Sequence, residues 1–391
     1  MNIWFSLLII ATVWFVVYIL CKLFKVEERF GWSYGLFFLL MRTKKFNDYL
    51  RKISKKHANF WRIIGNISIF VGFIAMFISF GLFTYTLVDF FLPDPVITDQ
   101  GAAVGLIIPG VTISFKTTLY LILPLFLTII PHEIAHGVVT HADGVELKST
   151  GLLFFLLFFG AFVEPDEEDV MDSSPQTKMR TFAAGIFPNL MLGLITIPFL
   201  VFSSSIHSPL YYPPDGVLIQ EVVTDSPAAD SELTRGTAIY AINNTHLSNL
   251  TVFSEYMGKT KPNDLLLLNT TKGQISVRLI TNPNNDSIGY LGVKTIPYQR
   301  PKVGFATPFF PAFYTQQAIW LIVIAFGAVL LNILPIPIMA DGDKLLSTFL
   351  VSSLKNKKLA LIILDIFRFL ALALFLTNII LPIVKFGLVP L

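Results

Sequence analysis

Cysteine is almost missing: the chain has one, Cys21, in 391 residues. That excludes an intramolecular disulfide and a thiolate cluster, so any bound metal must be held through nitrogen and oxygen. Charge is scarce as well. Asp, Glu, Lys and Arg make up 14% of the residues, against about 25% in ordinary soluble domains, while 54% are apolar. Long uncharged runs of this kind exclude a single soluble domain and leave a polytopic α-helical membrane protein. The net charge of +3 selects no partner by itself. The densest basic stretch, residues 42–62, adjoins an apolar run, which fits an anionic bilayer surface with "GWSYGLFFLLM" at the interface and speaks against nucleic acid.

Crossing the hydrocarbon core takes about 20 apolar residues. Six segments come close to or reach that length, roughly 3–20, 63–92, 119–139, 182–202, 312–334 and 359–386. The first has no charge before it and no small-residue cleavage site after it, so it reads as a span rather than a signal peptide. The last carries Asp365 and Arg368 in its first turns, which suggests an interfacial lead-in. Lys and Arg set the expected orientation. Residues 22–62 hold 11 of them, whereas residues 93–117 hold only Lys116. This places the amino terminus outside, the loops around Glu164 and Asp341 in the cytoplasm, and residues 203–311 outside. Four glycosylation-type triplets, at Asn243, Asn249, Asn269 and Asn285, fall in that outer segment.

The apolar stretch "GLLFFLLFFGAFV", residues 151–163, is only 13 long and too short to span. It is either a re-entrant hairpin, whose backbone must find partners inside the protein, or a short helix lying in the interface.

Within the third span, "PHEIAHG" sets three ionisable groups among isoleucines and valines. Each such group costs about 2.5 to 3.5 kcal/mol at mid-membrane, so it should face a polar cavity and serve function. His132 and His136, four apart, share one helical face and can grip one Zn2+, with Glu133 beside them as proton acceptor. A third ligand must reach the same depth. The fifth span runs the same way and ends in "LNILPIPIMADGDK", which delivers Asp341 there, with Asp343 as fallback. The same "ADGD" is also a good turn sequence. Asn189, about 8 residues into the fourth span, lies about 12 Å along its helix, near the metal's depth. Asn189 and Asn332 are candidates for orienting substrate or stabilising an oxyanion, or for interhelical hydrogen bonds.

Taken together, "PHEIAHG", Gly185 and Asn189 in "AAGIFPNL", and "NILPIPIMADG" resemble the site-2 protease family of intramembrane zinc metalloproteases, over residues 119–350. "GAFVEPDEEDV" is similar to prokaryotic members. The resemblance implies zinc held by His132, His136 and Asp341, Glu133 as general base, and regulated intramembrane proteolysis of transmembrane protein substrates. The interval from Asn332 to Asp341 is one residue longer than the family's usual pattern, and Asp343 stands where a glycine is usual.

The outer segment alternates apolar runs with Asn, Gly, Pro and Ser, and residues 215–293 read as strands. "SPAADSELTRGTAIYAIN" resembles PDZ domains, which implies an inserted extracytoplasmic α+β domain that either accepts a peptide C-terminus as an added strand or sieves by size. The expected organisation is an N-terminal membrane region (1–117), a first half of the catalytic core (118–206), the PDZ-like domain (207–300) and a second half of the core (301–391). The rivals are a metal or ion transporter, though no paired repeat is visible, and an HExxH membrane protease of another family with a glutamate ligand.

Overall fold

The computed structural model describes residues 3–92, 113, 115–156, 158–337 and 340–386. The chain divides into two compact units, Met1–Thr196 with Trp320–Leu391, and Ile197–Ile319. An apolar helix α1 (Ile3–Leu23) and a short α2 (Val26–Phe30) lead into strands β1 (Ser33–Tyr34) and β2 (Phe38–Thr43). The amphipathic α3 (Lys45–Lys56) precedes two long helices, α4 (Ala58–Phe90) and α5 (Phe115–Ala142). Strands β3 (Leu147–Phe155) and β4 (Phe158–Pro165) form a hairpin, followed by α6 (Glu167–Asp172), α7 (Pro175–Ala183) and α8 (Ile186–Val201).

The second unit contains α9 (Ser203–His207), β5 (Tyr211–Val222), β6 (Ala238–Ile242), β7 (Thr245–His246), α10 (Leu250–Met257), β8 (Leu265–Thr270), β9 (Gly273–Arg278), β10 (Ile280–Asn282), β11 (Asn285–Tyr290) and β12 (Val293–Pro301). Then follow α11 (Phe310–Asn332), α12 (Asp341–Ser353) and α13 (Lys357–Phe386).

Among the described residues, five stretches are long and apolar enough to cross a membrane: Ala58–Phe90, Thr117–Ala142, Pro175–Val201, Phe310–Asn332 and Lys357–Lys385. They fall on five of the six expected spans, and the first expected span is helical too, as α1. The outward faces stay apolar, as at Phe70, Phe77 and Val88, which suits lipid because a helix satisfies its own backbone. The inward face of α4 is built differently. Gly65, Ser68, Gly72, Ala75 and Ser79 recur at intervals of three and four and are all buried. Small residues let helices approach closely where lipid offers no hydrophobic driving force. At Gly72 a Cβ would lie 3.0 Å from Ile186 Cδ1 and 3.2 Å from Leu345 Cδ2. The fourth span is not one straight helix: it breaks into α7 and α8 at a turn formed by Ala184 and Gly185.

Residues 151–163 adopt the hairpin reading. β3 and β4 pair antiparallel from Ser149↔Glu164 to Phe155↔Phe158. The hairpin is half of a four-stranded sheet ordered β1-β2-β3-β4, because the "GWSYGLFFLLM" segment forms β1 and β2 and pairs in register from Phe38↔Phe155 to Thr43↔Thr150. Among the described residues, β4 is an edge strand of this sheet. The indole N–H of Trp14 on α1 donates to the Leu156 carbonyl at the hairpin tip, 2.7 Å away. Arg368 of α13 grips Asp343 of α12.

The second unit is a six-stranded antiparallel sheet ordered β12-β5-β6-β8-β9, with β7 on β6 and a separate β10–β11 pair. Its core combines Val217, Ile219, Ile239, Ile242, Leu268 and Leu279 with Phe253 of α10. The alternating burial along β8 and β9 follows the period of two of a sheet with one covered face. Asn243 and Asn244 join β6 to β7 with φ of 46° and 68°, the two left-handed positions of a tight hairpin turn.

Candidate metal centre

The third span carries the first two candidate ligands. His132 and His136 lie on one face of α5, ring centroids 4.7 Å apart, and their Nε2 atoms approach to 3.1 Å. Asp341 is the first residue of α12. Its Oδ2 stands 3.4 Å from His132 Nε2 and 3.2 Å from His136 Nε2. Three donors around a tetrahedral ion at about 2.0 to 2.1 Å would lie about 3.3 Å from one another. The observed triangle has that size. Two imidazole lone pairs and a carboxylate are therefore set for one small divalent cation with a position left open, and the donor set fits zinc.

The outer ring nitrogens are also partnered, which fixes which nitrogen faces the ion. His136 Nδ1 donates to the Thr181 carbonyl at 2.7 Å. His132 Nδ1 lies 3.1 Å from the Asn189 side-chain amide nitrogen, and Asn189 Oδ1 is buried without a hydrogen-bond partner among the described residues. With His132 Nε2 turned to a metal, Nδ1 carries the hydrogen. The Asn189 oxygen is then its acceptor, the amide being placed by its network. Asn189 is thus brought to the site, against a ligand histidine. Gly185 explains the other half of its motif: a Cβ there would overlap the His132 imidazole.

Glu133 is half-buried on the same helix. Its Oε2 accepts the Val163 backbone N–H at 3.0 Å. Val163 belongs to β4, so that amide points away from β3 along the open edge of the sheet. Nothing in the side chain of Val163 signals this contact, and sequence reasoning missed it.

At the start of α12, a Cβ on Gly342 would fall on the Ile333 carbonyl. The end of α11 and the start of α12 therefore touch through backbone, which is why Gly follows Asp341. Asp343, the fallback ligand, is not in the triangle. Arg368 holds it with both ends, Nε to Oδ1 at 2.6 Å and Nη2 to Oδ2 at 2.8 Å. Asn332, half-buried, makes no side-chain hydrogen bond among the described residues.

About two turns beyond His136, the Asp143 side chain, only 4% exposed, accepts from Arg62 Nε at 3.0 Å and from Arg180 Nη1 at 2.9 and 3.2 Å. This pairing ties α4, α5 and α7 beside Thr181, the residue that positions His136. Glu164 accepts from Ser149 Oγ and pairs with Lys148 Nζ at 3.2 Å. The Ser149 hydrogen bond holds its carboxyl below the usual range, and Glu164 is not among the three groups of the metal triangle.

Comparison with known proteins bears on the family of the chain. The sequence profile described as peptidase family M50 matches residues 120–376. An uncharacterized protein of Methanocaldococcus jannaschii is 26% identical over 261 residues, covering 66% of this chain and 64% of that protein. A membrane-bound transcription factor site-2 protease homolog of Arabidopsis thaliana is 21% identical over 194 residues, covering 48% of this chain and 36% of that protein. Both matches span less than two thirds of the relative's own length. The PDZ domain of the SdrC-like protein from Listeria monocytogenes is 25% identical, with a TM-score of 0.19, covering 21% of this chain and 88% of that one. With residues 120–376, well over half of the chain, matched to it, the protein belongs to peptidase family M50.

Proposed function

We propose that the chain is an intramembrane zinc metalloprotease that cuts transmembrane segments of other membrane proteins. The observation that carries this reading is the convergence of His132, His136 and Asp341 on one triangle, with Glu133 on the same helix as the two imidazoles. When bound there, zinc would polarise the scissile carbonyl and make water acidic enough to lose a proton near neutral pH. Glu133 takes that proton and returns it to the leaving amine. The Val163 N–H bond aims the Glu133 carboxylate, and Asn189 and the Thr181 carbonyl hold the imidazoles in place. Asn332 would act as a substrate-positioning group near Asp341.

A transmembrane helix hides its carbonyls in its own hydrogen bonds, so a substrate must unwind to be cut. The open edge of β4 supplies backbone partners for an extended segment next to Glu133, in the manner of β-augmentation. The basic bias of residues 22–62 favours a cytoplasmic location for the metal end and an outer location for the second unit. The Ser-Pro-Ala stretch and the antiparallel sheet with α10 favour a PDZ-like domain that takes a peptide C-terminus or limits substrate size.

The test is a cleavage assay in detergent with a fluorescent transmembrane peptide. Glu133→Gln is expected to keep the metal and lose hydrolysis. Undiminished hydrolysis by that variant would overturn the reading, as would cleavage that persists after full chelation.

A further inference from the structure

Helix α3 lies outside the metal centre and carries a surface that catalysis does not use. Its inward face is fixed: Leu50 is fully buried, packing with Val138 and Leu147. Asn47 Nδ2 donates to the Leu147 carbonyl at 2.9 Å, and Arg51 pairs with Glu146. A Cβ on Gly137, the residue after His136, would come within 2.6 Å of Leu50 Cδ1. The helix therefore cannot rotate to hide its other side.

At the helical repeat of 3.6 residues, Lys45, Tyr49, Lys52 and Lys56 form one stripe on the side opposite Leu50. All four are exposed, Tyr49 at 57%. Phe46 stacks on Tyr49 with ring centroids 5.6 Å apart. Lys44 and Lys55 flank the stripe and are exposed as well. None of these five lysines makes an ion pair among the described residues.

The chain on both sides of α3 marks its depth. In β2, Leu39, Leu40 and Met41 give way to Arg42 and Thr43, with Lys44 next in the chain, while the opposite end of the sheet is apolar at Leu36 to Phe38 and Phe154 to Leu156. In α4, Arg62 is the last charge before an uncharged run that reaches Val88. Both markers change from charged to apolar next to α3, so the helix is held at the level of lipid headgroups.

We propose that the stripe Lys45, Tyr49, Lys52 and Lys56 is a docking surface for anionic phospholipid headgroups, with Phe46 and Tyr49 seated at the boundary between headgroups and acyl chains. The lysines supply unpaired positive charge where an anionic leaflet concentrates the opposite charge, and aromatic rings favour that interfacial depth. Each lysine is expected to contribute roughly a five-fold preference for an anionic over a neutral surface, so three together contribute about 100-fold.

The experiment uses the full chain in nanodiscs of phosphatidylcholine, with and without about 30% phosphatidylglycerol, and follows hydrogen–deuterium exchange of residues 44–57. Exchange in this segment is expected to slow at least about five-fold with phosphatidylglycerol, and the effect should vanish in roughly 0.5 M NaCl, where screening is short-ranged. The K45Q/K52Q/K56Q variant should exchange alike in both lipids, while unchanged exchange in α5 shows that it is folded. Equal rates for the wild type in both lipids would overturn the proposal. So would slowing in the triple variant equal to wild type, or the same protection from inorganic phosphate in pure phosphatidylcholine discs, which would indicate a free-anion site.

Discussion

Gly185→Ala is a one-methyl test of how closely the fourth span approaches the metal centre. The added Cβ would sit 2.5 Å from His132 Nε2 and nearer still to two other ring atoms. Ordinary contact between such atoms is about 3.5 to 4.0 Å, so the ring must retreat by about 1 Å. The backbone cannot yield instead, because Ala183, Ala184 and Ile186 are all fully buried around the turn. Metal–ligand distances tolerate only about 0.2 Å, so the variant loses one ligand or binds in a strained site. A fall in zinc affinity of at least about 10- to 100-fold is expected, the range for damage to the supporting groups of a metal site. The assay is competition with a chromophoric chelator in detergent, beside thermal unfolding of the metal-free proteins. Wild-type zinc affinity in a folded Gly185→Ala protein would refute the packing argument.

Val163→Pro removes the N–H that Glu133 accepts on a strand edge where proline is tolerated. It should lower kcat by roughly 10- to 100-fold in the peptide assay with zinc content unchanged, as expected for a misaimed base. Arg368→Met strands the Asp343 carboxylate. A fully buried pair broken in this way costs about 3 to 5 kcal/mol. Because the Arg368 side chain keeps 30% exposure, we expect about 2 kcal/mol in thermal unfolding, largely recovered in the Asp343→Asn/Arg368→Met double variant.

Much of this site was legible because its signals are local. The four-residue spacing of His132 and His136 defines a helical face by itself, and the 13 residues from Gly151 to Val163 exclude a span by length alone. Asp341 needed one further step, the direction of two spans, and that step led to the carboxylate of "DGD" that lies beside the two imidazoles. What escaped the sequence depends on partners far apart in the chain. Nothing in the segment that forms β2 encodes its pairing with β3, more than 100 positions away. The pairing of Arg368 is hidden in the same way, because its partner Asp343 lies on another helix. The backbone groups of Thr181 and Val163 leave no trace in residue identity. Asn189 was placed at the right depth, while its contact with His132 was set by the turn at Gly185.

The central claim is that one zinc ion is held by His132, His136 and Asp341, and elemental analysis of purified protein tests it most directly. Wild type and Asp343→Ala are predicted to hold one zinc per chain, and Asp341→Ala to hold almost none after the same dialysis. Stoichiometric zinc in folded Asp341→Ala would contradict the account.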